Sequence, residues 1–173
     1  MSQPSPSFVA IDFETADNGA DSACAIGLVR VEAGEIVQRV TRLIRPPRRT
    51  NQYAHIHGIR WEDVQHAPTF AELWPDIAPV LADVPFFAAH NASFDRRILH
   101  GCCAAYGIAP PPQPFECTVV LARRTWRMPK NDLATLARFI QFTLNHHEAG
   151  SDAEACARIL LAARAHLALQ GQG

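Results

Sequence analysis

The chain has 173 residues, a length that suits one domain with one sizeable core. Hydrophobic residues make up 48% and charged residues 19%, and the formal net charge of -1 excludes a molecule that binds polyanions through its overall charge. The five cysteines (Cys24, Cys102, Cys103, Cys117 and Cys156) are odd in number and form no Cys-x-x-Cys pair, which argues against a disulfide framework and a zinc ribbon and points to a reducing compartment.

Residues 1–7 read as a disordered Ser/Pro-rich lead without the basic region or apolar run of a signal peptide. No stretch approaches the ~20 apolar residues that span a bilayer. The expectation is a soluble, cytoplasmic protein with no membrane partner. Phe8 to Glu14 is strand-like. Cys24–Val31 and Ile36–Ile44 read as two more strands, joined by a short hairpin loop at Glu32-Ala33-Gly34-Glu35. A polar Arg/Pro-rich loop is expected from Arg45 to Trp61. Thr69 and Glu72 form a capping-box pair ahead of a helix, which Pro75 and Pro79 should break or kink.

Pro85 to Ala89 reads as a short buried strand, and Ser93 to Tyr106 as a helix stopped by Gly107. Pro110, Pro111, Pro112 and Pro114 make a stiff connector. Helices follow at about Val119–Arg127 and Leu133–Ile140, the second capped by Asn131 or Asp132. The last helix is expected to start at Ser151, with Glu154 completing a capping box, and to run to about Leu169. Strands come first as a hairpin set and then alternate with helices, which fits a mixed α/β sheet with helices on its faces.

Charge is unevenly placed. Between Glu35 and Glu62 there is no acidic residue, while Arg39, Arg42, Arg45, Arg48, Arg49 and Arg60 all fall there. Such a stretch either meets phosphates or is a solvated surface.

The informative residues are carboxylates on core-facing positions. Alternation along the first strand places Phe8, Ala10, Asp12 and Glu14 on one face and Val9, Ile11 and Phe13 on the other. Two adjacent carboxylates in a partly buried site repel each other unless a cation lies between them. The alternative is a strand running out into solvent. Asp95 heads an apolar stripe of Ile98, Leu99, Cys102 and Tyr106; alone, it also fits a carboxylate favoured by a helix N-terminus. Asp152 heads a stripe of Cys156, Ile159, Leu160, Ala163 and Leu167, and His147 stands in the loop before it. Three segments thus aim acids inward with no matching buried cation, since Lys130 is the only lysine. An oxygen-rich cluster of this kind suits Mg²⁺ or Mn²⁺. Zinc would require His and Cys at close spacing, and His55 and His57 have no such partner.

Taken together, the three segments resemble the motifs of the DEDDh group of DnaQ-like 3′→5′ exonucleases. Ile11-Asp12-Phe13-Glu14-Thr15 is similar to Exo I, Asn91-Ala92-Ser93-Phe94-Asp95 to Exo II, and His147 to Asp152 to Exo III. Ile56-His57-Gly58-Ile59 and Ala67-Pro68-Thr69-Phe70 resemble the family's segment between Exo I and Exo II, in the branch named for the epsilon proofreading subunit of DNA polymerase III. The resemblance covers about residues 8 to 165. It implies a ribonuclease-H-like fold: a five-stranded mixed sheet, three antiparallel strands then two parallel ones, flanked by helices. One exonuclease domain over residues 8–169 is expected.

The resemblance also implies hydrolysis of the terminal phosphodiester at a single-stranded 3′ end, releasing a nucleoside 5′-monophosphate. Two Mg²⁺ or Mn²⁺ ions would be held by Asp12, Glu14, Asp95 and Asp152. His147 would take the proton from the attacking water, because histidine is the side chain that changes charge near neutral pH. Phe13 and Phe94 would flank the terminal nucleotide, Thr15 and His57 would contact it, and His90 and Asn91 would sit beside it. DNA is the favoured substrate, with a role in repair or proofreading; an exoribonuclease of the same chemistry and a non-catalytic nucleic-acid-binding module are the alternatives. The ending Gln170-Gly171-Gln172-Gly173 shows no clamp-binding peptide, so a polymerase partner is not supported and a stand-alone exonuclease or cropped domain is expected.

Overall fold

In the computed structural model, residues 6–171 are described. Three strands open the chain: β1 (Phe8–Thr15), β2 (Ala23–Glu32) and β3 (Glu35–Leu43). The turn between β2 and β3 is Ala33-Gly34, with φ of 48° and 86°. Positive φ at both central residues matches the right-handed twist of the flanking strands, which is why a glycine stands there. Of the lead assigned to residues 1–7, residues 1–5 lie outside the described residues. Ser7 Oγ accepts from the Ala33 amide at 3.0 Å, and the Pro6 carbonyl accepts from Gly34 at 2.9 Å.

The stretch expected to be a loop from Arg45 to Trp61 holds the short helix α1 (Ala54–His57) and the start of α2 (Trp61–Val64). Gly58 ends α1 with φ of 79°, a left-handed cap that glycine adopts without a Cβ clash. The helix behind Thr69 is α3 (Phe70–Leu81), and it runs unbroken through Pro75 and Pro79. Each proline removes one backbone bond. The stripe Phe70, Leu73, Ile77, Val80 and Leu81 is buried and holds the helix against the sheet. The Thr69–Glu72 capping box is present.

The second half alternates: β4 (Phe87–Ala89), α4 (Ser93–Ala105), β5 (Phe115–Cys117), α5 (Thr118–Trp126), α6 (Leu133–Phe139) and α7 (Ala149–Gln170). Ser93 is the first residue of α4 rather than its cap, and Ala92 stands at the cap position. The final helix starts two residues earlier than expected. Glu148 is its cap and accepts from the Gly150 and Ser151 amides, whereas Ser151 Oγ accepts from Asn145 instead. Glu154 bonds Arg39 and Arg158 rather than closing a capping box.

The sheet order is β3-β2-β1-β4-β5. β1, β2 and β3 are antiparallel neighbours; β4 and β5 join parallel. This is the ribonuclease-H-like arrangement, and it sets β1 at the centre. On one face Val9, Ile11 and Phe13 pack with Leu73 and Ile77 of α3 and with Ile98 and Leu99 of α4. On the other, Phe8 and Ala10 pack with Cys156 and Leu160 of α7. Burying each such side chain contributes about 1.5–3 kcal/mol, so the two layers rather than the short helices carry the fold. Among the described residues no helix is long and apolar enough to cross a membrane.

Most arginines of the acid-free stretch are ion-paired with acids from elsewhere. Arg39 meets Glu154 at 2.7 Å, Arg48 meets Asp17 at 2.9 Å and Asp21 at 2.6 Å, and Arg45 reaches Glu72 at 3.5 Å. That stretch is therefore largely neutralised.

Candidate active site

β1 carries Asp12 and Glu14 to the C-terminal end of the central strand. Across the ladder Asp12 faces Gly27 and Glu14 faces Ala25. These small residues allow the first turn of α7 to rest on β2. A Cβ on Gly27 would lie 2.0 Å from the Ala149 carbonyl oxygen, and one on Gly150 would lie 2.1 Å from Thr41 Oγ1. α7 seated this closely delivers Asp152, its fourth residue, beside the β1 acids. One oxygen each from Asp12, Glu14 and Asp152 lies within 4.8 Å of the others.

Asp95 arrives from the opposite helical layer, in the first turn of α4. Its Oδ1 accepts from the Phe13 backbone amide at 3.0 Å. β4 pairs with β1 only at Val9 and Ala10, so the Phe13 amide lies beyond that ladder and the carboxylate takes the place of a strand partner. The sequence therefore aims all four acids at one end of the sheet, as their apolar stripes indicated.

Their electrostatics need a cation. Asp95 is 1% exposed, Asp152 4% and Glu14 9%. Burial, then the neighbouring Asp95 and Asp152, hold Asp12 well above the ordinary carboxylate range. Burial does the same for Asp95. Glu14 is pushed up to about 8 by burial and by Asp152 and Glu148. Asp152 is raised by burial, partly offset by His146. No lysine or arginine among the described residues pairs with any of the four. Converging carboxylate oxygens without thiolates fit a hard divalent cation, so the donor set suits a metal.

Two histidines border this cluster. His146 Nδ1 lies 3.0 Å from Asp152 Oδ2, and the His147 backbone amide donates to the same oxygen at 3.1 Å. Their rings stack at 3.8 Å. His147 has φ of 66°, a left-handed conformation, and one ring nitrogen from each histidine lies within 4.8 Å of an Asp152 oxygen.

Next to the acids a pocket of about 250 Å³ opens between β1, α1 and α4. Phe13, Glu14, Thr15, His57 and Phe94 line it, which gathers four of the six expected substrate contacts together with one of the acids. His57 Nε2 lies 3.0 Å from the Thr15 carbonyl, and His57 Nδ1 accepts from the Ile59 amide at 3.1 Å. Those partners select the neutral ring protonated on Nε2, and burial lowers its affinity for a second proton. His90 and Asn91 stand apart from the pocket walls. His90 Nδ1 pairs with Thr118 Oγ1 at 2.9 Å, and burial drops its pKa to about 4. Asn91 is exposed with φ of 67° and accepts from the Phe94 amide through its backbone carbonyl at 3.0 Å.

A sequence profile of the family described as Exonuclease (RNase T) matches residues 9–160. The chain belongs to this exonuclease family. Exonuclease X, solved in complex with 5′ overhanging duplex DNA, is 29% identical with a TM-score of 0.72, and the match covers 90% of each chain. Exodeoxyribonuclease 10 of Escherichia coli K12 is 32% identical over 79% of this chain and 59% of its own length. DNA polymerase III PolC-type of Thermotoga maritima is 29% identical over 89% of this chain, which corresponds to 12% of that protein. The chain thus spans a small to middling part of these curated relatives. The nuclease domain of 3′hExo, a DEDDh family member bound to rAMP, shares the fold with a TM-score of 0.74 at 14% identity, covering 98% of this chain and 94% of the other. The DEDDh likeness carried by the three motifs is borne out.

The exonuclease pocket also has walls that sequence reasoning did not single out. Tyr53, Asn18 and Arg97 line it. Tyr53 Oη bonds Asn18 Oδ1, and Arg97 donates to the Asn18 carbonyl at 3.2 Å with its guanidinium 5.8 Å from the Phe94 ring centroid. The placement of Arg97 one helical turn after Phe94 is the sequence signal that would have found it. Gly27 carried no such signal, because its neighbour Ala149 is distant in sequence.

Proposed function

We propose that this chain is a 3′→5′ exonuclease that uses two Mg²⁺ or Mn²⁺ ions to hydrolyse terminal phosphodiesters of single-stranded DNA to nucleoside 5′-monophosphates, through one domain over residues 8–169. The observation that carries this reading is the convergence of Asp12, Glu14 and Asp152 at one end of β1, beside a pocket lined by Phe13 and Phe94. Ions held there would neutralise phosphate charge and lower the pKa of the attacking water. Asp12, Glu14 and Asp152 would hold the ions, and Asp95, with Oδ1 committed to the Phe13 amide, would support them.

The ring of His146 is committed to Asp152, whereas the stacked ring of His147 makes no hydrogen bond among the described residues. His147 is therefore the base that accepts the water proton. Phe13 and Phe94 flank the terminal nucleotide, and Thr15 and His57 contact it. His90 and Asn91 shape the border on the α5 side. DNA is favoured over RNA because, of the more similar relatives, Exodeoxyribonuclease 10 is named for DNA and Exonuclease X was solved with duplex DNA, while the rAMP-bound neighbour is more distant.

The test is digestion of 3′-labelled and 5′-labelled DNA and RNA strands with Mg²⁺, Mn²⁺ or EDTA. Mononucleotide release from the 3′ end, lost in EDTA and in Asp12→Ala with its melting temperature preserved, is the expected result. Full turnover by Asp12→Ala sinks the mechanism, and faster digestion of RNA replaces DNA as the substrate.

A further inference from the structure

Among the described residues, Arg42 is the one cation of the acid-free stretch left without an acid. The others lie in residues 96–138, which carry seven Lys or Arg and two carboxylates. Neither carboxylate forms an ion pair with them, and Lys130 acts on Asp132 only from beyond salt-bridge distance. Glu116 bonds Arg164 at 2.7 Å, and Asp132 caps α6 by accepting from the Thr135 amide at 2.9 Å. None of the seven cations forms an ion pair among the described residues.

Four of them, Arg123, Arg124, Arg127 and Lys130, are exposed on α5 and the loop after it. The buried side of α5 carries Thr118, Ala122 and Thr125, which turns Arg123, Arg124 and Arg127 outward. α5 starts at the acid cluster's border. Thr118 meets His90, the residue after β4, and its hydroxyl lies 4.0 Å from Cys156 one turn along α7 from Asp152. The helix then runs alongside α7 until Trp126 meets His166, with ring centroids 6.5 Å apart. The loop returns, and the Asn131 backbone rests against the His90 ring. α5 thus leads about 13 Å away from the site, nine helical residues at about 1.5 Å each, and the four cations form a basic ridge at its far end.

We propose that this ridge binds the sugar-phosphate backbone of the substrate strand, several nucleotides 5′ of the one being removed. This rests on the exonuclease reading for its direction, though the ridge itself is defined by charge and placement. About 13 Å corresponds to roughly four phosphates at the ~3.4 Å spacing of one stacked strand, which sets the ridge about four nucleotides from the site.

The experiment compares the full chain with a variant combining Arg123→Gln, Arg124→Gln, Arg127→Gln and Lys130→Gln. The control is Arg42→Gln, on β3 at the opposite edge of the sheet. Binding of a labelled single strand of about 12 nucleotides is measured in EDTA across a salt series, so no turnover shortens the probe. The ridge variant should lower the slope of log affinity against log salt by about 2–3, since each phosphate contact on a single strand contributes about 0.7. Arg42→Gln should leave the slope as it is. Hydrolysis of a dinucleotide, too short to reach the ridge, should stay within about twofold while digestion of the longer strand slows. An unchanged slope, an equal shift in the control, equal slowing on the dinucleotide, or an effect confined to duplex each overturns the proposal. A chain that binds with this slope but hydrolyses nothing refutes the exonuclease reading and leaves the ridge standing.

Discussion

The backbone amide of Phe13 donates to Asp95 Oδ1 at 3.0 Å, and this bond ties the first turn of α4 to the middle of β1. It fixes the one acid that comes from a different helical layer than Asp152. Asp95→Asn keeps an oxygen for the amide and removes the charge. Its hydrolysis rate should fall by ~10–100-fold, the range for groups that act on a metal through its outer shell, while its metal-free melting temperature holds or rises. Asp95→Ala also strands the amide and should lose about 1–3 kcal/mol of stability. Chemical denaturation with parallel rate measurements checks both; equal stability of the two variants would refute the role of the Phe13 bond.

Gly27→Ala should damage the site without touching an acid. The new methyl would meet the Ala149 carbonyl at 2.0 Å, so α7 must shift and carry Asp152 with it. A loss of about 1–3 kcal/mol is expected from overpacking. A drop in hydrolysis that persists well below the melting temperature separates misplaced Asp152 from simple unfolding.

Metal-free stability should fall as pH rises. Glu14 is held at about 8 in the folded chain, against 4.5 ordinarily, by burial and neighbouring acids. Between those values the folded state binds more protons than the unfolded one, so the stability gradient with pH is negative. The favourable contribution is full below the unfolded value and lost as pH climbs through the folded one. Saturating Mg²⁺ or Mn²⁺ should reverse the trend, because bound carboxylates must be ionised. At ~100 times the dissociation constant, metal should add about 2.7 kcal/mol. Melting curves from pH 5 to about 8, with and without metal, decide this. Glu14→Gln should flatten the metal-free curve.

His147→Ala should slow hydrolysis by ~10²–10⁴-fold, the usual share of a general base, with little change in the metal concentration needed for half activity. His146→Ala should act differently, shifting that metal concentration through loss of the partner 3.0 Å from Asp152. Metal titrations of both variants separate the roles, and an unimpaired His147→Ala would transfer the base to His146.

Pocket truncation should show in substrate affinity. Phe94→Ala removes a wall of the 250 Å³ pocket. Base–aromatic stacking contributes about 1–3 kcal/mol, so KM should rise by about 5–150-fold, with a smaller change in kcat. Steady-state kinetics on a single strand tests this.

What the residues revealed unaided was local. Alternation along Phe8–Glu14 placed the β1 acids on one face, and the stripe from Asp95 through Ile98 and Leu99 is buried as its spacing required. What they concealed was decided by distant partners. Ser151 and Glu148 both carry oxygens able to cap α7, and the seat of Ala149 on Gly27 selects Glu148. β5 has only three residues behind a proline-rich connector, and it exists as a strand because Phe115 to Cys117 pair with β4. Arg39 looked available for phosphate until Glu154, far along the chain, proved to hold it. The pocket rim formed by Tyr53 and Arg97 needed the fold to bring α1 beside α4.

The acids meet from both sides of the sheet, and Asp152 lies in α7, the last described element. A chain still being synthesised has Asp12, Glu14 and Asp95 long before it has Asp152 and the seat that orients it. The candidate site is thus complete only once the whole span from β1 to α7 has folded, so its activity reports on the docking of α7.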